Sequence, residues 1–195
     1  MKIVFASNNR NKVLEIQRQV PPFIEIVTLD EIGCTEDIEE TGATLEENAV
    51  IKANYVTQHY GLPCFADDTG LEIAALNGEP GVYSARYAGE DKDSEKNMAL
   101  VLARLQGISD RKAQFKTVIA LNMDGEQYLF TGTVVGEITN EKIGSMGFGY
   151  DPIFRPEDQD KTFAEMDMEE KNRMSHRGKA VAQLIDFLQK IEINS

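Results

Sequence analysis

The stretch Gln114-Phe-Lys-Thr-Val-Ile-Ala-Leu-Asn122, followed by Met123-Asp124-Gly125-Glu126 and Gln127-Tyr-Leu-Phe-Thr-Gly-Thr-Val-Val-Gly-Glu-Ile138, decides the fold class. Both arms are rich in β-branched and aromatic residues. Asp124-Gly125 between them is a strong hairpin signal, because the favoured two-residue turn needs positive φ at both central positions. The arms therefore read as an antiparallel pair. Upstream, Lys2 to Ala6 reads as a short buried strand, and a polar turn from Ser7 leads into a helix carrying Val13, Ile16 and Val20. Pro21-Pro22 ends that helix, and Ile24 to Thr28 reads as a second strand. Thr44-Leu-Glu-Glu47 is a capping-box pattern that opens a helix running to about Tyr60. Pro63 to Ala66 then reads as a short strand delivering Asp67 and Asp68 at its carboxyl end. Ser94 is placed to cap a helix with Met98, Val101, Leu102 and Leu105 on one face, and a last helix after Ser175 buries Val181, Leu184, Leu188 and Ile191. Helices interleaved with strands, with at least one antiparallel pair, predict an α/β fold whose mixed central β-sheet is flanked by helices.

The chain of 195 residues is long enough for one domain with a substantial core, and residues 1–195 are read as that single domain. No internal repeat, low-complexity tract or Pro/Ser linker divides it. A formal charge of −13 repels polyanions, which argues against a nucleic-acid partner bound through a broad basic face. It does not argue against a small anionic substrate that a few local cations or a divalent metal can hold. No run approaches the roughly 20 apolar residues that span a bilayer, so no membrane partner is expected. Ile3-Val4-Phe5-Ala6 is too short for a signal-peptide core, and a cytoplasmic location is expected. Cys34 and Cys64 have no zinc-site spacing and are read as reduced thiols.

Four segments carry chemistry. Ser7-Asn8-Asn9-Arg10-Asn11-Lys12 lies between a strand and a helix start, where backbone N–H groups and the helix dipole suit a phosphate. It lacks the glycines and the Gly-Lys-Ser/Thr ending of a P-loop, and it fits a plain helix cap with solvated side chains as well. Phe65-Ala-Asp67-Asp68-Thr69-Gly70-Leu71 puts two carboxylates on successive residues. On a strand they face opposite sides, so their roles should differ: Asp68 suits magnesium binding or proton abstraction from water, and Asp67 suits a supporting partner. An Asp-Thr-Gly turn is the competing reading, and an aspartic protease is rejected because no second copy exists. Ile38-Glu39-Glu40-Thr41-Gly42, with Asn48 and Lys52 on the capped helix, can complete a metal site through Glu39 or Glu40 and face a phosphate with Lys52. An acidic run is also the usual look of a solvated loop. Lys171-Asn-Arg-Met-Ser175-His176-Arg177 sets two cations in a first helical turn, where the dipole disfavours them unless an anion or keto oxygen is near. The same reading takes Gly147-Phe148-Gly149-Tyr150-Asp151-Pro152 as a turn that lets a flat ligand lie against ring and main chain, or as a glycine-rich turn whose Phe148 plugs the core.

Taken in order from Lys2 to about Leu188, these segments resemble the inosine triphosphate pyrophosphatase family. Ser7-x-Asn9-x-x-Lys12, Glu39-Glu-Thr-Gly42, Glu47-Asn48-Ala49 with Lys52, and Ala66-Asp-Asp-Thr-Gly70 carry the likeness. Pro80-Gly-Val-Tyr-Ser-Ala-Arg86, Gly147 to Pro152, and Glu170-Lys171 with Ser175-His-Arg177 complete it. The resemblance implies two lobes with an active-site cleft between them, and a homodimer. It implies hydrolysis of non-canonical purine triphosphates (ITP, dITP, XTP) to monophosphate and pyrophosphate, cleansing the nucleotide pool. Under it, Ser7, Asn8, Asn9, Arg10, Asn11, Lys12 and Lys52 hold the triphosphate. Glu39 and Asp68 hold magnesium, with manganese as the alternative ion, and Asp68 also accepts the proton of the attacking water. Thr69 touches the substrate, while Phe148, Gly149, Tyr150, Asp151, Lys171, His176 and Arg177 surround the base. Glu40 remains open as the metal ligand in place of Glu39. A Maf-like pyrophosphatase with another base preference is disfavoured by the Ser-His-Arg and Phe-Gly-Tyr-Asp segments. A non-catalytic nucleotide sensor is disfavoured by Asp68, Lys12 and the acidic metal candidates.

Overall fold

Asp124 and Gly125 have φ of 53° and 82°, the turn geometry that joins two strands with right-handed twist. The computed structural model describes residues 1–193. Its elements are β1 Lys2–Phe5, α1 Arg10–Gln17, β2 Glu25–Thr28, α2 Leu45–Tyr60, β3 Cys64–Ile73, α3 Ser94–Arg104, β4 Lys112–Met123, β5 Glu126–Ile138, β6 Phe154–Pro156, α4 Met168–Met174 and α5 His176–Ile193. The sheet order is β2-β1-β3-β4-β5-β6. β1 pairs parallel with β2 and with β3, whereas β5 and β6 pair antiparallel, so the sheet is mixed as expected.

Local chemistry explains most boundaries. Thr44 and Glu47 form the reciprocal capping box that starts α2, and Gly61 at φ 64° closes it by donating to the Thr57 carbonyl. α3 begins at the expected place, but its cap is Asp93, whose carboxylate accepts from the N–H groups of Glu95 and Lys96. Ser94 is instead the first helical residue. β3 is longer than the sequence suggested: it runs through Asp67-Asp68-Thr69-Gly70 to Ile73 without turning. The buried Asp67 carboxylate has cationic partners, so it does not have to seek water in a turn.

The chain divides into two compact units, and three strands pass from one into the other. The first comprises Met1–Asp68, Thr117–Gly132 and the chain from Arg177. Its core places Phe5 and Phe65, paired in register, with rings stacked at 4.8 Å, alongside Ile16 of α1 and Val181, Leu184 and Leu188 of α5. Along α2, Ala49, Ala53 and Val56 are buried at helical spacing. The second unit comprises Thr69–Lys116 and Thr133–His176. Leu71, Ile73, Met98, Val101, Phe115, Phe154 and Phe163 form its core. Cys34 and Cys64 are free thiols, both buried.

One contact in the second unit is set by a missing side chain. Gly136 of β5 pairs with Pro156 of β6, and a Cβ there would lie 2.3 Å from the Arg155 carbonyl oxygen and 2.8 Å from the Phe154 ring. Gly136→Ala should lower stability by about 1–3 kcal/mol through overpacking. Chemical denaturation checks it, and a variant as stable as the parent would show that β6 shifts freely.

Candidate active site

In the first unit, α1, α2, α5 and β3 converge on two neighbouring carboxylates. Asp67 is fully buried, and its oxygens are claimed by Lys12 Nζ at 3.0 Å and Arg177 Nε at 3.1 Å. Burial alone would raise its proton affinity, but Lys12, Arg177 and Lys52 outweigh that and hold it well below the ordinary carboxylate range. Asp68, on the opposite face of the strand, accepts from Asn48 Nδ2 at 3.1 Å and lies 4.0 Å from Lys52 Nζ. Burial pushes its pKa up; Lys52 and Lys12 oppose this, and nearby Glu40 adds to it. Adjacent residues thus diverge: Asp67 is a fixed anion, whereas Asp68 is disposed to take a proton.

The helix spacing of α2 supplies the second partner set. Asn48 and Lys52, one turn apart, are both buried on the same face. Lys52 Nζ donates to the Asp67 carbonyl at 2.7 Å and pairs with Glu40. Burial works against its charge, but Asp68, Glu40 and Asp67 together raise its pKa. Asn48 Oδ1 in turn accepts from Gly42 N–H at 2.8 Å, and a Cβ on Gly42 would fall 2.7 Å from that same oxygen. This fixes the loop that carries Glu40. Between the two metal candidates, Glu40 is therefore the one beside Lys52 and Asp68, while Glu39 is exposed.

The Ser7–Lys12 segment is more closed than its sequence suggested. Asn9 caps α1, its Oδ1 accepting from the Asn11 and Lys12 N–H groups, and its own N–H donates to Ser7 Oγ. Asn8, Asn9, Arg10 and Asn11 are exposed, and Lys12 points inward to Asp67. Burial lowers the Lys12 pKa most; Asp67 opposes this, and Lys52 and Arg177 push it down further. Sequence reasoning missed Glu15. It is buried on α1, one turn after Lys12, and pairs with Arg177 Nη1. A charged side chain beside Ile16 on the inward face was the available signal. Asp67 and Glu15 raise the Arg177 pKa against its burial.

In the second unit, the Gly147–Asp151 turn is tied to α4. Asp151 Oδ2 accepts from the Phe148 N–H at 2.8 Å and from Lys171 Nζ at 2.7 Å, and Lys171 Nζ lies 4.7 Å from the Phe148 ring centroid. Gly147 has φ 74°, and a Cβ there would lie 2.1 Å from the Asp151 carboxylate. Gly149 also takes a left-handed φ, 64°. Phe148 stays half-buried rather than filling the core, whereas Tyr150 is buried. His176 is buried with its ring stacked on Phe115 at 4.5 Å. Thr69 follows Asp68 on β3 and is half-buried. This unit therefore brings Phe148, Gly149, Tyr150, Asp151 and Lys171 together.

A family model described as the Ham1 family matches residues 3–187. The chain belongs to the Ham1 family. The dITP/XTP pyrophosphatase of Flavobacterium johnsoniae is 62% identical over 188 residues, covering 96% of this chain and 98% of that protein. The dITP/XTP pyrophosphatase of Christiangramia forsetii is 57% identical, covering 97% and 100%. Among solved structures, the Ham1 protein of Staphylococcus aureus is 44% identical, with a TM-score of 0.89 over 97% of this chain and 99% of that one. A HAM1 protein from Coxiella burnetii gives 0.90 at 43% identity, covering 97% and 99%.

In this Ham1-family chain, Arg177 is the charge that keeps two buried carboxylates solvated by protein. Arg177→Leu should cost about 3–5 kcal/mol of stability, because Asp67 and Glu15 lose a partner in a dry environment. Arg177→Lys, which keeps the charge without the planar fork, should recover only part of the loss. Guanidinium unfolding curves measure both; a Leu variant with an unchanged midpoint would mean the carboxylates relax into water.

Proposed function

We propose that the chain is a nucleoside-triphosphate pyrophosphatase that hydrolyses ITP, dITP and XTP to the monophosphate and pyrophosphate, clearing non-canonical purines from the nucleotide pool. The carrying observation is the divergence of Asp67 and Asp68: Lys12 at 3.0 Å and Arg177 at 3.1 Å lock the first, while the second, on the opposite face, meets Asn48 at 3.1 Å and Lys52 at 4.0 Å. Asp68 takes a proton from water, the water oxygen attacks the α phosphorus, and the bond from that phosphorus to the bridging oxygen breaks as pyrophosphate departs. Lys12, Lys52 and the exposed polar side chains Asn8, Asn9, Arg10 and Asn11 hold the triphosphate, with Ser7 shaping their turn. Thr69, next to Asp68, touches the substrate.

A divalent cation fits the donor set. Asp68 and Glu40 offer carboxylate oxygens, with exposed Glu39 adjacent in sequence. Magnesium needs only one or two carboxylates when phosphates and water complete its shell. No cluster of three or more His, Cys, Asp or Glu able to hold a metal occurs among the described residues. The ion, magnesium or manganese, would offset phosphate charge and stabilise the departing pyrophosphate.

For the base, Phe148 offers a stacking face, and Asp151 holds its backbone and Lys171 in place. Lys171 lies over that ring with donors that match the six-position oxygen of hypoxanthine and xanthine, where adenine presents an amino group. His176 contributes through its packing on Phe115. Arg177 reaches a substrate only by giving up Asp67 or Glu15. The proposal includes a homodimer in the cytoplasm, resting on the family likeness. No helix among the described residues is long and apolar enough to cross a membrane.

Pyrophosphate release from ITP, XTP, dITP, GTP, ATP and dUTP, with and without magnesium, tests the reading. ITP and XTP should exceed ATP in kcat/KM by at least about a hundredfold, since adenine leaves buried donors unpaired. Comparable ATP turnover would remove the proposed basis of selectivity. Asp68→Asn should lower kcat by about a thousandfold while ITP still binds and the thermal midpoint does not fall, because burial already disfavours the Asp68 charge.

A further inference from the structure

β3 pairs with β1 only at Cys64 and Phe65, with the Phe65 carbonyl also accepting from Ala6 N–H. Beyond that point the same edge of β3 is satisfied by other groups. In the second unit the Leu71 N–H donates to Ser84 Oγ at 2.9 Å, and the Ile73 N–H donates to the Glu79 carbonyl at 3.2 Å. Ser84 is buried within the helical turn Gly81–Arg86, and its hydroxyl also donates to the Gly81 carbonyl at 2.6 Å. A hydroxyl suits this place because it accepts and donates at once.

The Ser84 main chain does a second job. Its carbonyl accepts from the Tyr150 hydroxyl at 2.7 Å, a buried bond between residues 66 positions apart. Burial keeps that phenol protonated, hence a donor. Asn97 of α3 steadies the same turn from the far side, donating to the Ala85 carbonyl at 2.9 Å and accepting from the Ala88 N–H at 2.7 Å. Tyr150 immediately precedes Asp151, whose carboxylate sets the Phe148 backbone and Lys171. One serine therefore bonds to the strand two residues after Thr69 and, through Tyr150, to the turn that presents Phe148.

We propose that Ser84 is a positioning residue for the base: through the Tyr150 hydroxyl it fixes the Phe148–Asp151 turn relative to the Thr69–Leu71 segment of β3. Tyr150 then acts through its hydroxyl bond and core-buried ring, not as a group touching the nucleotide. This rests on the reading of the Gly147–Asp151 turn as the base shelf. A residue of this kind changes how well the base is held more than how fast phosphorus is attacked.

Kinetics with ITP and calorimetric binding of inosine monophosphate should be compared for the parent, Tyr150→Phe, Ser84→Ala, the double variant, and Val101→Ala. The last loosens the same core at a residue whose side chain makes none of the hydrogen bonds of the joint. Each single change at the joint should raise KM and the nucleotide Kd by about five- to tenfold, as loss of a buried hydrogen bond predicts, with kcat within about threefold. The double variant should be little worse than the weaker single, since both release one joint. Val101→Ala should lower the thermal midpoint and leave KM alone. Effects on KM that multiply, a KM unchanged in folded Tyr150→Phe, or an equal KM rise in Val101→Ala would each overturn the proposal. A parent that hydrolyses no purine triphosphate, yet binds inosine monophosphate more tightly than either variant, would refute the reaction and leave the joint standing.

Discussion

A carboxylate buried in the middle of a strand constrains much of the first unit. Asp67 sits in β3 with no exposed surface, and an isolated charge there would be untenable. Lys12 from α1 and Arg177 from α5 make it tenable, so both helices are pinned to one point on the sheet. Arg177 is pinned again by Glu15, which returns the contact to α1. Apolar packing of Ile16, Val181 and Leu184 against Phe5 and Phe65 supplies the larger driving force. It does not by itself choose the register of the helices along the sheet. The charge lattice does, because a shift of one helical turn would strand Asp67 or Glu15.

The alternation of a strand then makes a different use of the next residue. Asp68 faces the other side, where α2 presents Asn48 and Lys52 one turn apart. Its environment holds fewer compensating groups than that of Asp67, and Glu40 adds like charge. The two residues share backbone, chemistry and depth, yet one is held by two cations and the other has its proton affinity raised by burial. A protein with a formal charge of −13 has particular need of this separation. Each of its largely buried cations Lys12, Lys52 and Arg177 already has a carboxylate partner.

What the sequence disclosed follows the range of the interactions involved. The capping box of α2, its glycine stop and the Asp-Gly hairpin are local, and each appears where its residues stand. The mixed sheet follows from the hairpin, and the family likeness adds the reaction. What it did not disclose depends mostly on partners distant in sequence. Asp67-Asp68-Thr69-Gly70 looks like a turn until Lys12 and Arg177, 55 and 110 positions away, are known to meet it. Nothing in the segment around Arg177 shows that Glu15 faces it from 162 positions off. Ser94 and Asp93 differ as caps only by backbone geometry, and Glu39 and Glu40 only by which one Lys52 reaches. Ser84 lies in the Pro80–Arg86 segment of the family likeness, but nothing local showed its bonds to Leu71 and Tyr150.

Several partners distant in sequence also meet at the edge of β3 that β1 leaves uncovered. After Phe65 the strand runs past the end of β1, and its backbone groups still require partners. Lys52 takes the Asp67 carbonyl, Ser84 takes the Leu71 N–H, and the Glu79 carbonyl takes the Ile73 N–H. Side chains and turns thus stand where a neighbouring strand would otherwise lie. A neighbouring strand would satisfy the same groups with backbone alone and bring no charged or hydroxyl side chain to that edge. Because β1 ends early, the edge of β3 beyond Phe65 is open to residues that can carry charge and hydroxyl groups. β4 lies along the other edge of β3, and the chemical variety sits on the side where pairing with β1 has stopped.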